Sequence, residues 1–336
     1  MLKEENRKLL TLVDQFARKK IAVWGDFILD EYLYGNTRRI SREAPVLILA
    51  YQTREFSLGG AGNSILNLKA LGVKPLPIGV IGPDDSGKKI FQFLKKNRIS
   101  TEYLIVEKDF PTPLKTRILA GEENTKKQQI LRIDREGKVS ENSLLKNRLL
   151  QSLQRARRQC DALLISDYNY FTVKEDIFRT AFPPFKKMKI PVTLDSRFRL
   201  LSFRGVTAAT PNEPEVEEAL KIQFGGDTAV LQKAGRTLLK KLQSPAALIT
   251  LGSKGMALFE KGRPVFIIPI FGTPDIVDVT GAGDTVISVF TAALACGATF
   301  RQAARLANYA GGIVVMKKGT ATVTPLELKQ AIISEN

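Results

Sequence analysis

Short apolar runs that end in turn residues alternate with amphipathic helical stretches along most of this sequence, and no other feature limits its fold as strongly. An opening helix, on which Leu9, Leu12, Val13 and Phe16 share one face, leads into the buried strand "IAVWGD" and the acidic "GDFILDEY". A helix follows from Ala61 to Leu71, with Gly72 as its stop signal. Strand "LPIGVI" precedes helix "GKKIFQFLKK". Strands "ALLISDY", "PVTLD" and "VTAAT" lead to helix "EPEVEEAL", and strand "AALIT" precedes a helix that starts near Gly283. The alternation predicts an α/β fold: a doubly wound, mainly parallel sheet covered on both faces, with ligands beyond the carboxyl ends of the strands. Two stretches, 32–57 and 111–134, break the rhythm, because "APVLILAYQT" and "PLKTRILAG…QQILRID" read as antiparallel strands with no helix between them. They predict a small β-sheet lid inserted into one domain that spans 1–336.

Composition removes several chemistries. The 336 residues include no histidine, so Ser-His-Asp and Cys-His catalysis and histidine-ligated metals are excluded, leaving carboxylates, lysines and backbone dipoles. The two cysteines, Cys160 and Cys296, lie far apart outside any Cys-x-x-Cys pattern and read as core thiols. The formal charge is +17, yet lysines and arginines are dispersed among acidic residues without aromatic interleaving, so no nucleic-acid partner is expected. Attraction of phosphorylated substrates is the alternative use of that charge. No apolar run nears the roughly 18 residues of a membrane span, and the mixed-charge N-terminus does not read as a signal peptide. A cytoplasmic protein with no membrane partner is expected.

The stretch "DVTGAGDT", which opens on Asp278, a candidate cofactor-binding residue, and runs to Thr285, strips side chains from a turn and then sets a carboxylate at the start of an apolar helix. Gly281, Ala282 and Gly283 let backbone N–H groups approach an anion where the helix dipole is positive. Asp284 beside them can take the proton of a hydroxyl that attacks a transferring phosphoryl group. A plain acidic helix start is the other reading. In "TPNEPEVEEAL", Asn212 and Glu215 are placed to hold Mg²⁺-bound water around phosphates, or to cap a helix. "TLGSKG" offers Thr250, Gly252, Lys254 and Gly255 either as a cover for phosphates or as a hairpin turn. "SLGGAGNS" supplies Gly59, Gly60 and Asn63 at a helix start, and "GDFILD" supplies Asp26 and Asp30 at a strand end. These groups suit the hydroxyls of a polyol, with turn formation and capping as the structural alternatives. "GPDDSGKK" satisfies G-x-x-x-x-G-K, but Lys89 occupies the Ser/Thr position and Asp84 and Asp85 would repel phosphates, so it reads as a turn. No G-x-G-x-x-G fingerprint is present, which argues against an NAD enzyme.

Taken in order, "GDFILD", "GGAGN", "TPNEPE", "TLGSKG" and "DVTGAGDT" resemble the ribokinase-like (PfkB) sugar kinases over nearly the entire chain. The resemblance implies ATP-dependent phosphorylation of a sugar hydroxyl, with Asp284 as base, Gly281 to Gly283 as anion hole, and Asn212 and Glu215 near Mg²⁺ and the phosphates. It also implies sugar contacts from Asp30, Gly59, Gly60 and Asn63, adenine near Asn308, and a homodimer through the lid, and it leaves K⁺ open as a further cofactor. Within the family, "YGNTRRISREAPV" followed by "GGAGN" is most similar to the D-glycero-β-D-manno-heptose 7-phosphate kinases, which phosphorylate the anomeric hydroxyl on the path to ADP-heptose and lipopolysaccharide. Lys115 and Arg117, two apart on one strand face, with Arg132, are then candidates to grip the phosphate already on the substrate; a solvated basic face is the alternative. Arg42 and "DSRFR" depart from that subgroup's usual proline and Asp-Pro-Lys. Many relatives of the subgroup carry a fused nucleotidyltransferase half with a His-x-Gly-His motif, so a stand-alone kinase is expected here. Rival readings are another specificity in the family, for a hexose phosphate, ribose or a nucleoside, and a catalytically silent sugar or nucleotide sensor.

Overall fold

The computed structural model describes residues 2–123, 125, 127–138, 142–225, 227–272 and 277–335. Helix α1 (Leu2–Gln15) leads into β1 (Lys20–Gly25), and a single residue, Asp26, separates β1 from β2 (Phe27–Ile40). Next come β3 (Leu47–Gly60), α2 (Ala61–Ala70), β4 (Lys74–Ile81), α3 (Asp85–Lys96), β5 (Leu104–Val106), β6 (Leu114–Gly121) and β7 (Gln128–Arg135). The middle of the chain forms α4 (Ser143–Arg157), β8 (Ala162–Asp167), α5 (Glu175–Lys187), β9 (Val192–Ser196), β10 (Ala208–Ala209), α6 (Glu213–Leu220) and α7 (Thr228–Leu242). It closes with β11 (Ala246–Thr250), β12 (Met256–Glu260), β13 (Phe266–Ile268), α8 (Ala282–Ala295), α9 (Phe300–Val314) and α10 (Pro325–Ser334).

Nine strands form the main sheet in the order β13-β12-β11-β10-β9-β8-β1-β4-β5. Every pairing from β5 to β11 is parallel, and β12 and β13 add an antiparallel edge. The central strands are apolar throughout because both faces are covered. In β1, Ile21 and Val23 enter the core shared with α1, α2, α3, α8, α9 and α10, while Ala22 and Trp24 enter the core shared with α4, α5, α6 and α7. Strand order diverges at β1, which pairs with β4 on one side and β8 on the other, so a crevice opens beyond the carboxyl ends of β1 and β8.

A second sheet, ordered β3-β2-β6-β7, supplies the expected lid. Two of its strands reach further than expected, β2 and β3 running inward to Phe27 and Gly60, while the later pair, Leu114–Gly121 and Gln128–Arg135, falls close to the expected 111–134. The lid is therefore a direct continuation of β1, turned into a new sheet at Asp26. "VTAAT" contributes only the two-residue β10, and the helix expected at "GKKIFQFLKK" begins earlier, at Asp85. The P-loop-like "GPDDSGKK" is a helix cap: Asp84 accepts from the Gly87 amide at 2.8 Å and from the Thr112 amide at 3.0 Å. Cys160 and Cys296 are free thiols, buried and half-buried. Among the described residues no helix is long and apolar enough to cross a membrane.

Candidate active site

The carboxyl ends of β8, β9 and β11, the lid and the start of α8 enclose a cleft of about 790 Å³. Asp284 stands in the first turn of α8 at its floor and is 4% exposed. Asn63 Nδ2 donates to its Oδ2 at 2.8 Å, Tyr168 Oη to its Oδ1 at 3.2 Å, and Ser64 Oγ to its Oδ1 at 3.4 Å. Burial pushes this carboxyl up to about 7, with Asp30 adding to the rise and the Asn63, Tyr168 and Ser64 donors opposing it. A carboxylate that titrates near neutrality beside a cleft can exchange a proton at working pH.

The turn before α8 is built around two glycines for different reasons. Gly281 adopts φ +78° as the N-cap, where a Cβ would lie 2.4 Å from Asn63 Nδ2. At Gly283 a Cβ would meet no atom of the described residues beyond its own helix and neighbours within 4 Å, and Gly283 lines the cleft, so what the missing side chain leaves open is the cleft itself. The amides left without an acceptor differ from the expected Gly281–Gly283 set. The Ala282 amide donates to Val279 O at 3.2 Å and is spent internally, while among the described residues the Gly281, Gly283 and Asp284 amides have no protein acceptor. These three face an α-helix N-terminus and can hold an anion.

Asn212 and Glu215 form a capping box at the start of α6: Glu215 N donates to Asn212 Oδ1 at 2.8 Å and Asn212 N to Glu215 Oε2 at 2.9 Å. Both also line the cleft, so the structural and ligand readings of this motif coexist. Asp195, from the end of β9, lies beside them; burial and the nearby Glu215, Asp284 and Asp167 hold its carboxyl well above the usual range. A cation bound among these crowded carboxyls would favour their charged form. Among the described residues no three acidic or thiol side chains are grouped to chelate a metal directly, so the donor set fits a hydrated divalent ion held through water. Thr250, Gly252 and Gly255 line the cleft together with Asn308, whose amide donates to Pro269 O at 2.9 Å.

On the lid side, Asp30, Gly59, Gly60, Lys115, Arg117 and Arg132 all face the cleft. Arg117 pairs with Asp30 at 2.5 Å, Lys115 with Asp134 at 2.8 Å, and Arg132 with Asp134 at 2.9 Å. Four expected residues do not line it. Asp26 is sealed in the core, where its carboxylate accepts the Tyr168, Tyr170 and Thr172 amides at 2.8, 3.1 and 3.0 Å. Asn63 stands behind Asp284 as its donor. Asp278 accepts the Thr280 and Gly319 amides, both at 2.9 Å, and so fixes the turn that precedes α8. Lys254 is exposed on the β11–β12 connection and is not part of the cleft lining. The cleft also brings in Asp167, Tyr168, Asp195 and Arg197, which sequence reasoning missed. Their one sequence signal was position, since "ISDY" and "DSRFR" end predicted parallel strands.

Open amides at a helix N-terminus and a buried carboxylate under a polar lid on a doubly wound sheet fit a phosphotransferase, and the family match that follows makes its acceptor a sugar. Residues 18–327 match the model of the pfkB family carbohydrate kinases, and the chain belongs to that family. It is 38% identical over 318 residues to the "Bifunctional protein HldE" of Desulfatibacillum aliphaticivorans, covering 94% of this chain and 64% of that protein. It is 36% identical over 333 residues to the protein of that name from Trichlorobacter lovleyi, covering 98% of this chain and 66% of that protein. The chain thus spans just under two thirds of the length of these curated relatives. Among solved structures, Arabidopsis thaliana ribokinase complexed with ribose and ATP superposes with TM-score 0.73 at 20% identity, covering 94% of this chain and 98% of that one. Escherichia coli phosphofructokinase-2 in complex with potassium superposes with TM-score 0.74 at 15% identity and the same coverage. These two likenesses concern the fold.

Proposed function

We propose that this chain is a Mg·ATP-dependent kinase that phosphorylates the anomeric hydroxyl of D-glycero-β-D-manno-heptose 7-phosphate to the 1,7-bisphosphate. The observation that carries the reading is the placement of Asp284 and the amides of Gly281, Gly283 and Asp284, which have no acceptor among the described residues, on the floor of a cleft whose lid carries Lys115, Arg117 and Arg132. ATP occupies the end lined by Thr250, Gly252, Gly255 and Asn308. The sugar lies under the lid, its hydroxyls on Asp30 and the Gly59–Gly60 backbone and its 7-phosphate on the basic cluster, with Arg132 the most accessible of the three cations. Asp284 accepts the proton of the anomeric hydroxyl as that oxygen bonds to the γ-phosphorus and the bond to ADP breaks, while the three amides hold the charge that develops on the phosphoryl oxygens. Asn212 and Glu215, through water, with Asp195 beside them, would hold Mg²⁺, which supplies neutralisation of the phosphate charge when bound. K⁺ is a candidate activator, and a second copy of the chain is proposed to cover the outer face of the lid.

The heptose specificity rests on "YGNTRRISREAPV", "GGAGN" and "KTRILAG" together with the basic lid face. A panel of free and phosphorylated sugars with ATP, read as ADP release, tests it: heptose 7-phosphate is expected to exceed heptose, fructose 6-phosphate and ribose in kcat/KM. Preference for an unphosphorylated sugar or a nucleoside would reject the specificity, and no turnover on any acceptor would favour a sensor. Asp284→Asn is expected to keep the fold and to lower kcat by roughly 10²–10⁴-fold; near-normal turnover would remove Asp284 as the base.

A further inference from the structure

The turn after β8 holds two non-glycine residues in left-handed conformation, Asn169 and Phe171, both at φ +66°. Asparagine tolerates that region, but a bulky phenylalanine occupies it only when its surroundings impose it. What imposes it here is a carboxylate that the catalytic reading leaves without a task. Asp26 is 1% exposed, and its two oxygens accept the amides of Tyr168, Tyr170 and Thr172, one on each alternate residue of the strained turn. Each amide hydrogen bond to a buried carboxylate is charge-assisted, so the three together clamp the turn. The turn aims two hydroxyls at residues of the cleft: Tyr168 Oη, itself in the lining, reaches Asp284 Oδ1 at 3.2 Å, and Tyr170 Oη, behind the lining, meets Lys115 Nζ at 3.1 Å.

We propose that Asp26 is a positioning residue that holds the strained 168–172 turn, so that Tyr168 sets the proton affinity and orientation of Asp284 while Tyr170 registers the lid through Lys115. The proposal rests on Asp284 being the base. Asp284 is faced by Asn63 and Ser64 from α2, Tyr168 from the turn, Asp30 from β2 and Asp195 from β9, and Tyr168 is itself faced by Asp195 and Arg197. Of these, the neutral donors lower the proton affinity of Asp284, and the carboxylates raise it. Loss of the Tyr168 hydroxyl therefore moves the acid limb of the kcat/KM profile to higher pH.

The test compares Asp26→Asn and Tyr168→Phe with wild type in thermal melts, in kcat and sugar KM, and in the pH dependence of kcat/KM, using ATP and the best acceptor from the panel. Tyr168→Phe is expected to move the acid limb up by half a unit or more with sugar KM little changed. Asp26→Asn, which replaces one accepting oxygen by a donor facing amides, is expected to reproduce that displacement and also to raise sugar KM several-fold, because Tyr170 and Lys115 are released together. A folded Asp26→Asn with a wild-type profile and KM would overturn the proposal. Should Asp26→Asn not fold, Tyr168→Phe/Tyr170→Phe decides: an unmoved acid limb with unchanged KM overturns it, and both changes together support it. The base itself is read separately, since Asp284→Asn with near-normal turnover would defeat that reading whatever the Asp26 variant does.

Discussion

At the scale of single residues, Asp284 is expected to cost stability where it serves chemistry. Its carboxyl is raised from 3.8 to about 7 by burial, so the folded protein holds a proton that the unfolded chain releases. Stability from this group is complete below the unfolded value and falls as pH rises through the folded one, so the loss accumulates between about 4 and 7 and is constant above. A pKa unit is worth ~1.4 kcal/mol, and hydration from the cleft reduces the full sum. Asp284→Asn is thus expected to be more stable than wild type by about 1–3 kcal/mol at pH 8, with the difference vanishing near pH 3. Urea melts across that range check this, and a variant less stable at pH 8 would contradict the assigned protonation. In the same pH range, kcat/KM of the wild-type enzyme is expected to rise with deprotonation of a group near 7. Asp26 shares the rise, pushed up to about 6 by burial and by Asp167, but its three amide donors oppose it.

At the scale of elements, the start of α8 separates what the fold requires from what a ligand requires. Gly283 lies in the helix, and among the described residues beyond its own helix and neighbours a Cβ there meets no atom within 4 Å, so Gly283→Ala should leave the melting temperature unchanged or raise it, as alanine exceeds glycine in helix propensity by about 1 kcal/mol. The same methyl group would project into the space proposed for the transferring phosphoryl group. Turnover is therefore expected to fall by roughly tenfold or more, as when one oxyanion contact is lost; a stable variant with full activity would move the anion hole elsewhere. The small-residue turn was legible in the sequence because it breaks an otherwise apolar pattern. The parallel strands were legible for a related reason: "IAVWG" and "AALIT" are apolar on both faces, as a sheet covered twice demands. The lid's inner boundary was not, because β2 leaves β1 after one residue and "GDFILD" carries no turn signal between the two. Helices α4, α5, α7, α9 and α10 gave no individual prediction beyond the general alternation. Within the site, Asp26 and Asn63 were placed one layer too far forward, since spacing sets which residues meet at a strand end but not which of two carboxylates faces the cleft. Tyr168 and Arg197 carried no signal beyond their position after predicted strands, for the opposite reason: what brings them together is β8 and β9 lying side by side in the sheet, a contact between distant segments.

At the scale of the whole molecule, the lid sheet has two unlike faces. Its inner face carries Asp30, Lys115, Arg117, Arg132 and Asp134, while the alternation of β7 turns Leu131 and Ile133 outward, where they are 53% and 54% exposed. Ile118 and Leu33 share that outer side by register, and β3 and β7 leave unpaired backbone at both edges. A free β-sheet with an apolar face and open edges invites association, and a two-fold contact between identical lids satisfies both features at once. The proposed dimer would also hold the lid rigid above the sugar, which links assembly to substrate affinity. Leu131→Glu/Ile133→Glu is expected to halve the mass seen by light scattering in solution and to raise the apparent KM for the sugar phosphate severalfold, with kcat at saturation less affected because Asp284 and the α8 amides lie outside the lid. The two charges sit on the face away from the cleft, so a change in KM without a change in mass would mean that the lid acts alone. A wild-type protein that is monomeric at tens of micromolar would remove the contact altogether.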